Sequence, residues 1–250
     1  MSYHGLKILA VIPARGGSKS IPRKNLCQIA GISLVGHAVK TAQSVKWIDQ
    51  IIVSTDDEEI AEEGRKYGAE VPFMRSAELA GDNAGSADMW KHAWMESEAY
   101  FKAQFDISIL LEPTSPLRRP DDISKTVDAL LESNTDAAAT VSRAPAHFTP
   151  HKCLTVDESG IIGFYHAKGQ QYSLRQKIPA YYFRNGICYA LKRQPLLEKG
   201  TIIEKNCKAV VIERPVVNID DEHELAYAEF LFLKYDELVK SRNSGENRSP

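Results

Sequence analysis

The stretch Leu6-Lys-Ile-Leu-Ala-Val-Ile12, followed at once by Pro13-Ala-Arg-Gly-Gly-Ser-Lys-Ser-Ile-Pro-Arg-Lys-Asn25, decides the fold class. A short, almost unbroken apolar run reads as a strand buried on both faces, the habit of parallel sheets covered by helices. Pro13 stops the strand and Gly16-Gly17 opens a loop. Outward from this point the rhythm repeats. Leu34, Val35, Ala38, Val39, Ala42 and Val45 recur at helical spacing between Ile32 and Trp47, and Gln50-Ile-Ile-Val-Ser54 is again a strand. A charged helix is predicted over Asp57 to Tyr67, a short strand around Val71, a helix near Ser86 to Lys102 and a strand over Asp106 to Leu111. A helix from about Asp121 to Glu132, just after Pro120, leads into the strand Ala137 to Val141. Such alternation predicts an α/β, doubly wound, mostly parallel sheet with helices on both faces.

Between Arg143 and Tyr182 the rhythm breaks at Pro145, Pro150 and Pro179, so hairpins or irregular structure are expected there as an insertion. Strands return over Gly186 to Leu191 and Ala209 to Val217, and a long helix over Glu222 to Val239. The chain thus reads as a single domain over 1–240 with an insertion over about 143–182, and a polar, disordered tail over 241–250.

Composition narrows the function classes. The 250 residues carry 31 basic and 33 acidic side chains, a net charge of −2, which leaves no broad positive surface for nucleic acid. The apolar run at Ile8 to Ile12 is too short for a membrane span and lacks a signal-peptide layout, so no membrane association is expected. Cys27, Cys153, Cys188 and Cys207 form no CxxC pair, which argues against a zinc site or disulfide framework and for a reducing cytoplasm.

Ligands of a doubly wound sheet bind at the carboxyl ends of its strands, and three loops there carry candidate chemistry. The first holds Arg15, Lys19, Arg23 and Lys24 with no acid to balance them. Gly16 and Gly17 let backbone amides approach an anion closely, and the cations suit a polyphosphate. The loop is neither a Walker loop nor a GxGxxG. The second, Glu112-Pro-Thr-Ser-Pro-Leu-Arg-Arg119, suits a rigid rim holding a substrate, or a mere turn. The third, Val217-Asn-Ile-Asp-Asp-Glu-His-Glu224, places carboxylates where they either cap a helix or hold magnesium. His147 and His151 are separated by Pro150 and lack a third ligand, and the Asp56-Asp57-Glu58-Glu59 run reads as a solvated helix start.

Taken together, Ile12 to Asn25, Leu111-Glu-Pro-Thr-Ser-Pro-Leu-Arg118, Asn185-Gly-Ile-Cys-Tyr189 and Asn218-Ile-Asp220 resemble, in order, the motifs of the acylneuraminate cytidylyltransferases, which make CMP-sialic acid. The resemblance covers nearly the whole chain up to the tail. It implies transfer of CMP from CTP to the anomeric hydroxyl of a 2-keto-3-deoxy sugar acid, with release of pyrophosphate and a requirement for Mg2+. It implies that Arg15, Ser18, Lys24 and Asn25 contact the nucleotide and its phosphates, with Arg15, Lys24 and Asp220 the catalytic set and Asp220 the magnesium ligand. Arg75, Asp82 and Ser86 resemble the segment beside the cytidine. Lys152, Arg175 and Gln176 resemble positions that face the sugar acid, and the family's dimers, which exchange part of the insertion, imply a homodimer here.

Three positions depart from the pattern. Asn218 stands where the family often has the first of two aspartates. Glu112 replaces a common glutamine and would suit a sugar with an amino or amidino substituent. Tyr182-Phe-Arg-Asn185 shifts an arginine by one place. The readings left open are a sialic acid or a relative such as legionaminate, pseudaminate or 3-deoxy-manno-octulosonate, a nucleotidyltransferase for another sugar or nucleotide, and a non-catalytic nucleotide-binding module.

Overall fold

A computed structural model describes residues 3–81, 84–172, 175–199, 202 and 206–243. The apolar opening run is β1 (Ile8–Pro13), followed by the basic loop and a small hairpin of β2 (Gln28–Ile29) and β3 (Ile32–Ser33). Then come α1 (Leu34–Ser44), β4 (Gln50–Ser54), α2 (Glu58–Lys66), the single turn α3 (Ala77–Ala80), α4 (Ser86–Phe101), β5 (Ile107–Leu110), α5 (Pro120–Glu132) and β6 (Ala137–Arg143). The insertion forms the hairpin β7 (Leu154–Val156) and β8 (Ile162–Phe164) with short 3-10 turns around it. The chain returns through β9 (Tyr182–Lys192) and β10 (Cys207–Val211) and ends in α6 (Glu222–Asn243).

Six strands form the central sheet in the order β10-β6-β9-β5-β1-β4. β1 pairs in parallel with β4 and β5, β10 pairs in parallel with β6, and β9 runs antiparallel between β5 and β6. Period-two alternation along β1 divides its side chains between two cores. Ile8, Ala10 and Ile12 pack with α1, α2 and α5 on one face, and Leu9 and Val11 pack with Met89, Trp90 and Trp94 of α4 on the other. The sheet is therefore covered on both sides, as the continuous apolar run requires. A third apolar cluster joins Ile21, Ile29 and Leu34 to Val217, Ile219, Ala228 and Leu231, which docks α6 onto the basic loop.

Boundaries differ from the sequence reading at several places. β9 starts at Tyr182, four residues before the expected Gly186. No strand forms at Val71: Glu70 makes only an isolated bridge to Ile52, and Pro72 supplies no amide to extend it. The last strand ends at Val211 rather than Val217, where Arg214 leaves the sheet to pair with Asp122 and Pro215 blocks a ladder. The final helix continues through Asn243, because neither proline nor glycine stands before Gly245, so Ser241 to Asn243 are not a disordered tail and the rest of that tail lies outside the described residues.

β1 is flanked by β4 on one side and β5 on the other, so the chain reverses direction across the sheet here. Loops leaving the carboxyl ends of β1 and β5 diverge at such a switch point and leave a crevice between them.

Candidate active site

The crevice holds a cavity of about 350 Å3. Arg15, Ser18, Lys19, Lys24 and Asn25 from the loop after β1 line one wall, Glu112, Pro113 and Thr114 after β5 line another, and Asp220 before α6 closes a third side. The three loops are bonded to one another. Lys24 Nζ donates to Ile219 O at 2.9 Å and sits 3.2 Å from Asp220 Oδ1, and the Ile219 amide donates to Thr114 O at 2.8 Å. Asn25 is buried and its Nδ2 donates to Arg15 O at 2.9 Å, which closes the basic loop on itself.

Geometry divides the cations. Arg15, Lys19 and Lys24 face the cavity, whereas Arg23 turns away. Arg23 donates to Asp57 Oδ2 at 2.7 Å and Oδ1 at 3.0 Å, and to Glu59 Oε2 at 2.6 Å. The loop's charge is therefore balanced by acids distant in sequence, and the acidic run is not a merely solvated helix start. Asp57 also accepts the Ile60 amide at 3.1 Å as the cap of α2. The Gly16 amide donates to Asp56 Oδ1 at 2.9 Å, so a carboxylate already holds the donor that the glycine pair was expected to offer an anion.

At the other wall a buried arginine, absent from the sequence-derived site, sets the position of Glu112. Arg118 Nε donates to Ile187 O, and its NH2 donates to Glu112 O at 2.6 Å and Gly186 O at 3.1 Å. Burial pulls its pKa down to about 10, still far above neutrality. Its signal in the sequence was its place at the end of the second motif.

Gly186, at φ 69°, provides the space for Glu112: a Cβ there would collide with Glu112 Oε2 and lie 2.5 Å from Ser115 Oγ. Next to it β6 and β9 slip register between Ala139 and Val141. Thr140, Ser142 and Asn185 fill that bulge with hydrogen bonds, Thr140 Oγ1 to Asn185 Oδ1 at 2.7 Å and Asn185 Nδ2 to Ser142 Oγ at 3.0 Å. Asn218 Nδ2 donates to Glu112 Oε2 at 3.1 Å, and the buried Asn218 Oδ1 has no hydrogen-bond partner. Burial raises the Glu112 pKa above the usual carboxylate range against the opposing pull of Arg118, Asn218 and Arg184.

In the third loop capping and site roles fall to different residues. Asp221 Oδ1 accepts the Glu224 amide at 2.8 Å and Glu224 Oε2 accepts the Asp220 amide at 2.6 Å, while the Asp220 side chain stays 82% exposed at the cavity. Arg75 is buried, with its Nε donating to Ser54 Oγ at 3.2 Å and its pKa lowered by burial to about 10. It stands beside Asp56 and Arg15 behind the cavity wall rather than in its lining. Ser86 is the exposed first residue of α4, and Asp82 lies outside the described residues.

Lys152 and Gln176 lie on the insertion and do not line the cavity; Arg175 begins a 3-10 turn there. His151 packs on Tyr172 and His166 and shares a hydrogen bond with Tyr181, and no group of three metal-ligating His, Cys, Asp or Glu occurs among the described residues. No helix among them is long and apolar enough to cross a membrane.

Known proteins resemble this chain in sequence and in fold. The chain is 34% identical over 226 residues to post-translational flagellin modification protein B of Campylobacter coli, covering 90% of this chain and 94% of that one. It is 34% identical over 227 residues to the CMP-N,N'-diacetyllegionaminic acid synthase of Campylobacter jejuni, with the same coverage. The solved CMP:2-keto-3-deoxy-manno-octonic acid synthetase complexed with CTP superposes with a TM-score of 0.69 at 19% identity, over 92% of this chain and 99% of that one, a likeness of fold. Residues 9–213 match the cytidylyltransferase family, a span that holds the basic loop, the Glu112 loop and the Gly186 bulge. The protein belongs to the cytidylyltransferase family and is a nucleotidyltransferase.

Proposed function

We propose that this protein transfers CMP from CTP to the anomeric hydroxyl of a nine-carbon 2-keto-3-deoxy sugar acid of the legionaminate or sialate type, releasing pyrophosphate. The observation that carries the reading is the junction at Lys24, which brings a cation-rich loop, the half-buried Glu112 carboxyl and an exposed aspartate to one cavity. Attack at the α-phosphate of a nucleotide needs positioning and charge neutralisation more than covalent chemistry. Arg15, Lys19 and Lys24 supply that neutralisation, Ser18 and Asn25 add polar contacts, and the Gly17 segment allows close backbone approach. Arg75, Asp82 and Ser86 belong to the cytidine side in this reading.

Glu112 marks the sugar side. A carboxyl held by Asn218 and braced by Arg118 favours an N–H or O–H donor on the sugar. Names among the relatives support a sugar acid of this class: besides the legionaminic acid synthase, a pseudaminic acid cytidylyltransferase of Campylobacter jejuni is 29% identical over 230 residues.

The donor set also suits Mg2+, an ion that takes one or two carboxylates and leaves its other positions to substrate phosphates and water. Asp220 would hold it, with the unpartnered Asn218 Oδ1 as a neutral second oxygen. When bound, magnesium would neutralise charge on the triphosphate. Lys24, 3.2 Å from Asp220 Oδ1, would hold that carboxylate aimed at the cavity.

A homodimer is part of the proposal. Phe148, Ile162, Phe164 and Tyr165 of the insertion are exposed apolar residues that would be buried against a second copy. Such a partner could bring Lys152, Arg175 and Gln176 to the sugar carboxylate of the neighbouring site. The test is pyrophosphate release from CTP and magnesium across legionaminate, pseudaminate, N-acetylneuraminate and 3-deoxy-manno-octulosonate. Turnover of a nine-carbon acid in preference to the eight-carbon one is expected; silence with all four despite CTP binding would refute the assignment.

A further inference from the structure

The basic loop is held from outside itself. Gly16 is fixed by the Asp56 carboxylate at 2.9 Å, and a Cβ on Gly16 would lie 2.7 Å from Asp57 Oδ2. Seven residues later Arg23 forks onto both oxygens of Asp57 and reaches Glu59. The Asp57 side chain is only 17% exposed, so the pair is better shielded than an ordinary surface bridge. Arg23 has a left-handed backbone, φ 57°, which arginine rarely adopts without outside constraint. Lys24 follows directly, its side chain only 12% exposed, and its ammonium is delivered to the Ile219 carbonyl and Asp220.

We propose that Asp56 and Asp57 are positioning residues for nucleotidyl transfer: they set the approach of Gly16 and, through the Arg23 clamp, the direction of Lys24, while Arg23 itself binds no phosphate. Four cations crowded into ten residues repel one another, so an anion-binding loop that must keep its shape before the anion arrives gains from carboxylates anchored on rigid elements. Here the carboxylates stand in the short turn between β4 and α2, Asp57 as the cap of the helix. The geometry is demanding, since a displacement of about 1 Å at a reacting centre can cost on the order of a hundredfold in rate. This inference rests on the reading that the cavity binds CTP.

The decisive variant is Asp57→Asn, because asparagine caps a helix as well as aspartate does and leaves α2 intact while removing the carboxylate charge that faces Arg23. Hydrogen exchange over residues 14–26 without nucleotide reads the clamp independently of any substrate. Exchange there should speed up in Asp57→Asn and in Arg23→Ala, and unchanged exchange in both would overturn the proposal. With CTP and the preferred sugar acid, Asp57→Asn should lower kcat/KM for CTP about tenfold, equivalent to about 1.4 kcal/mol, with the melting temperature held. In a Lys24→Ala background the same substitution should cost less than about twofold, since the residue it acts through is gone. An equal loss in both backgrounds, or an unchanged kcat/KM, would overturn it. A wild-type protein that fails to bind CTP would refute the nucleotide reading instead, and the exchange measurement would still decide the clamp.

Discussion

Gly186→Ala puts the strongest strain on the site with the smallest change. The residue sits at φ 69°, in the left-handed region where an L-residue with a Cβ costs about 1–2 kcal/mol. The new methyl would run into Glu112 Oε2 and lie 2.5 Å from Ser115 Oγ and 3.1 Å from Asn218 Nδ2. Relief requires Glu112 to swing out of its hollow, and Arg118, which holds the Glu112 and Gly186 carbonyls, resists movement of either chain segment. Overpacking of this kind adds about 1–3 kcal/mol. The sum, about 2–5 kcal/mol at about 2–4 °C per kcal/mol for a chain of this size, is a drop in melting temperature on the order of 10 °C. Thermal unfolding by circular dichroism reads the stability, and pyrophosphate release at varied sugar acid reads the displaced Glu112 as a raised KM. A variant melting within about 2 °C of wild type, with unchanged sugar KM, would refute the argument that glycine is required at this bulge.

Lys24→Ala removes the ammonium that joins two loops at the cavity, and kcat/KM for CTP should fall on the order of a hundredfold in the same assay; a loss below threefold would assign charge neutralisation to other cations. Asp220→Ala should abolish magnesium-dependent release while calorimetry still detects metal-free CTP binding, and unchanged turnover would refute the proposal that Asp220 holds magnesium. Glu98 offers a pH test away from the cavity. Its burial alone would raise its pKa, but the Arg193 fork at 2.9–3.0 Å and the Phe105 amide at 3.1 Å outweigh that and hold it below the usual value. A depressed carboxylate stabilises the fold above its unfolded pKa of about 4.3 and loses that contribution as pH falls through the folded value. Wild type should therefore be more stable than Glu98→Gln at pH 7 by about 1–2 kcal/mol, with the gap in melting temperature closing below about pH 4; a gap that does not change with pH would show that the ion pair is not its source.

Local chemistry determined a large part of this protein. Continuous apolar character at Ile8 to Ile12 specifies a strand covered on both faces, and the helical spacing from Leu34 to Val45 specifies what covers one of them. The three loops were legible because glycine pairs, clustered cations and acids beside an apolar period are local patterns. Tertiary structure decided how they work together. Nothing in the order of residues shows that Arg23 belongs to Asp57 across 34 positions, or that Lys24 meets Asp220 across 196. Parallel strands bring such distant loops to one edge, and only there do charge partners and burial become defined. The sequence likewise names Glu112 and Gly186 without pairing them: the hollow that one leaves for the other exists only where β9 bulges against β6. Periodicity is a property of neighbours along the chain, whereas electrostatic pairing and steric fit depend on distance through space, which the fold alone sets.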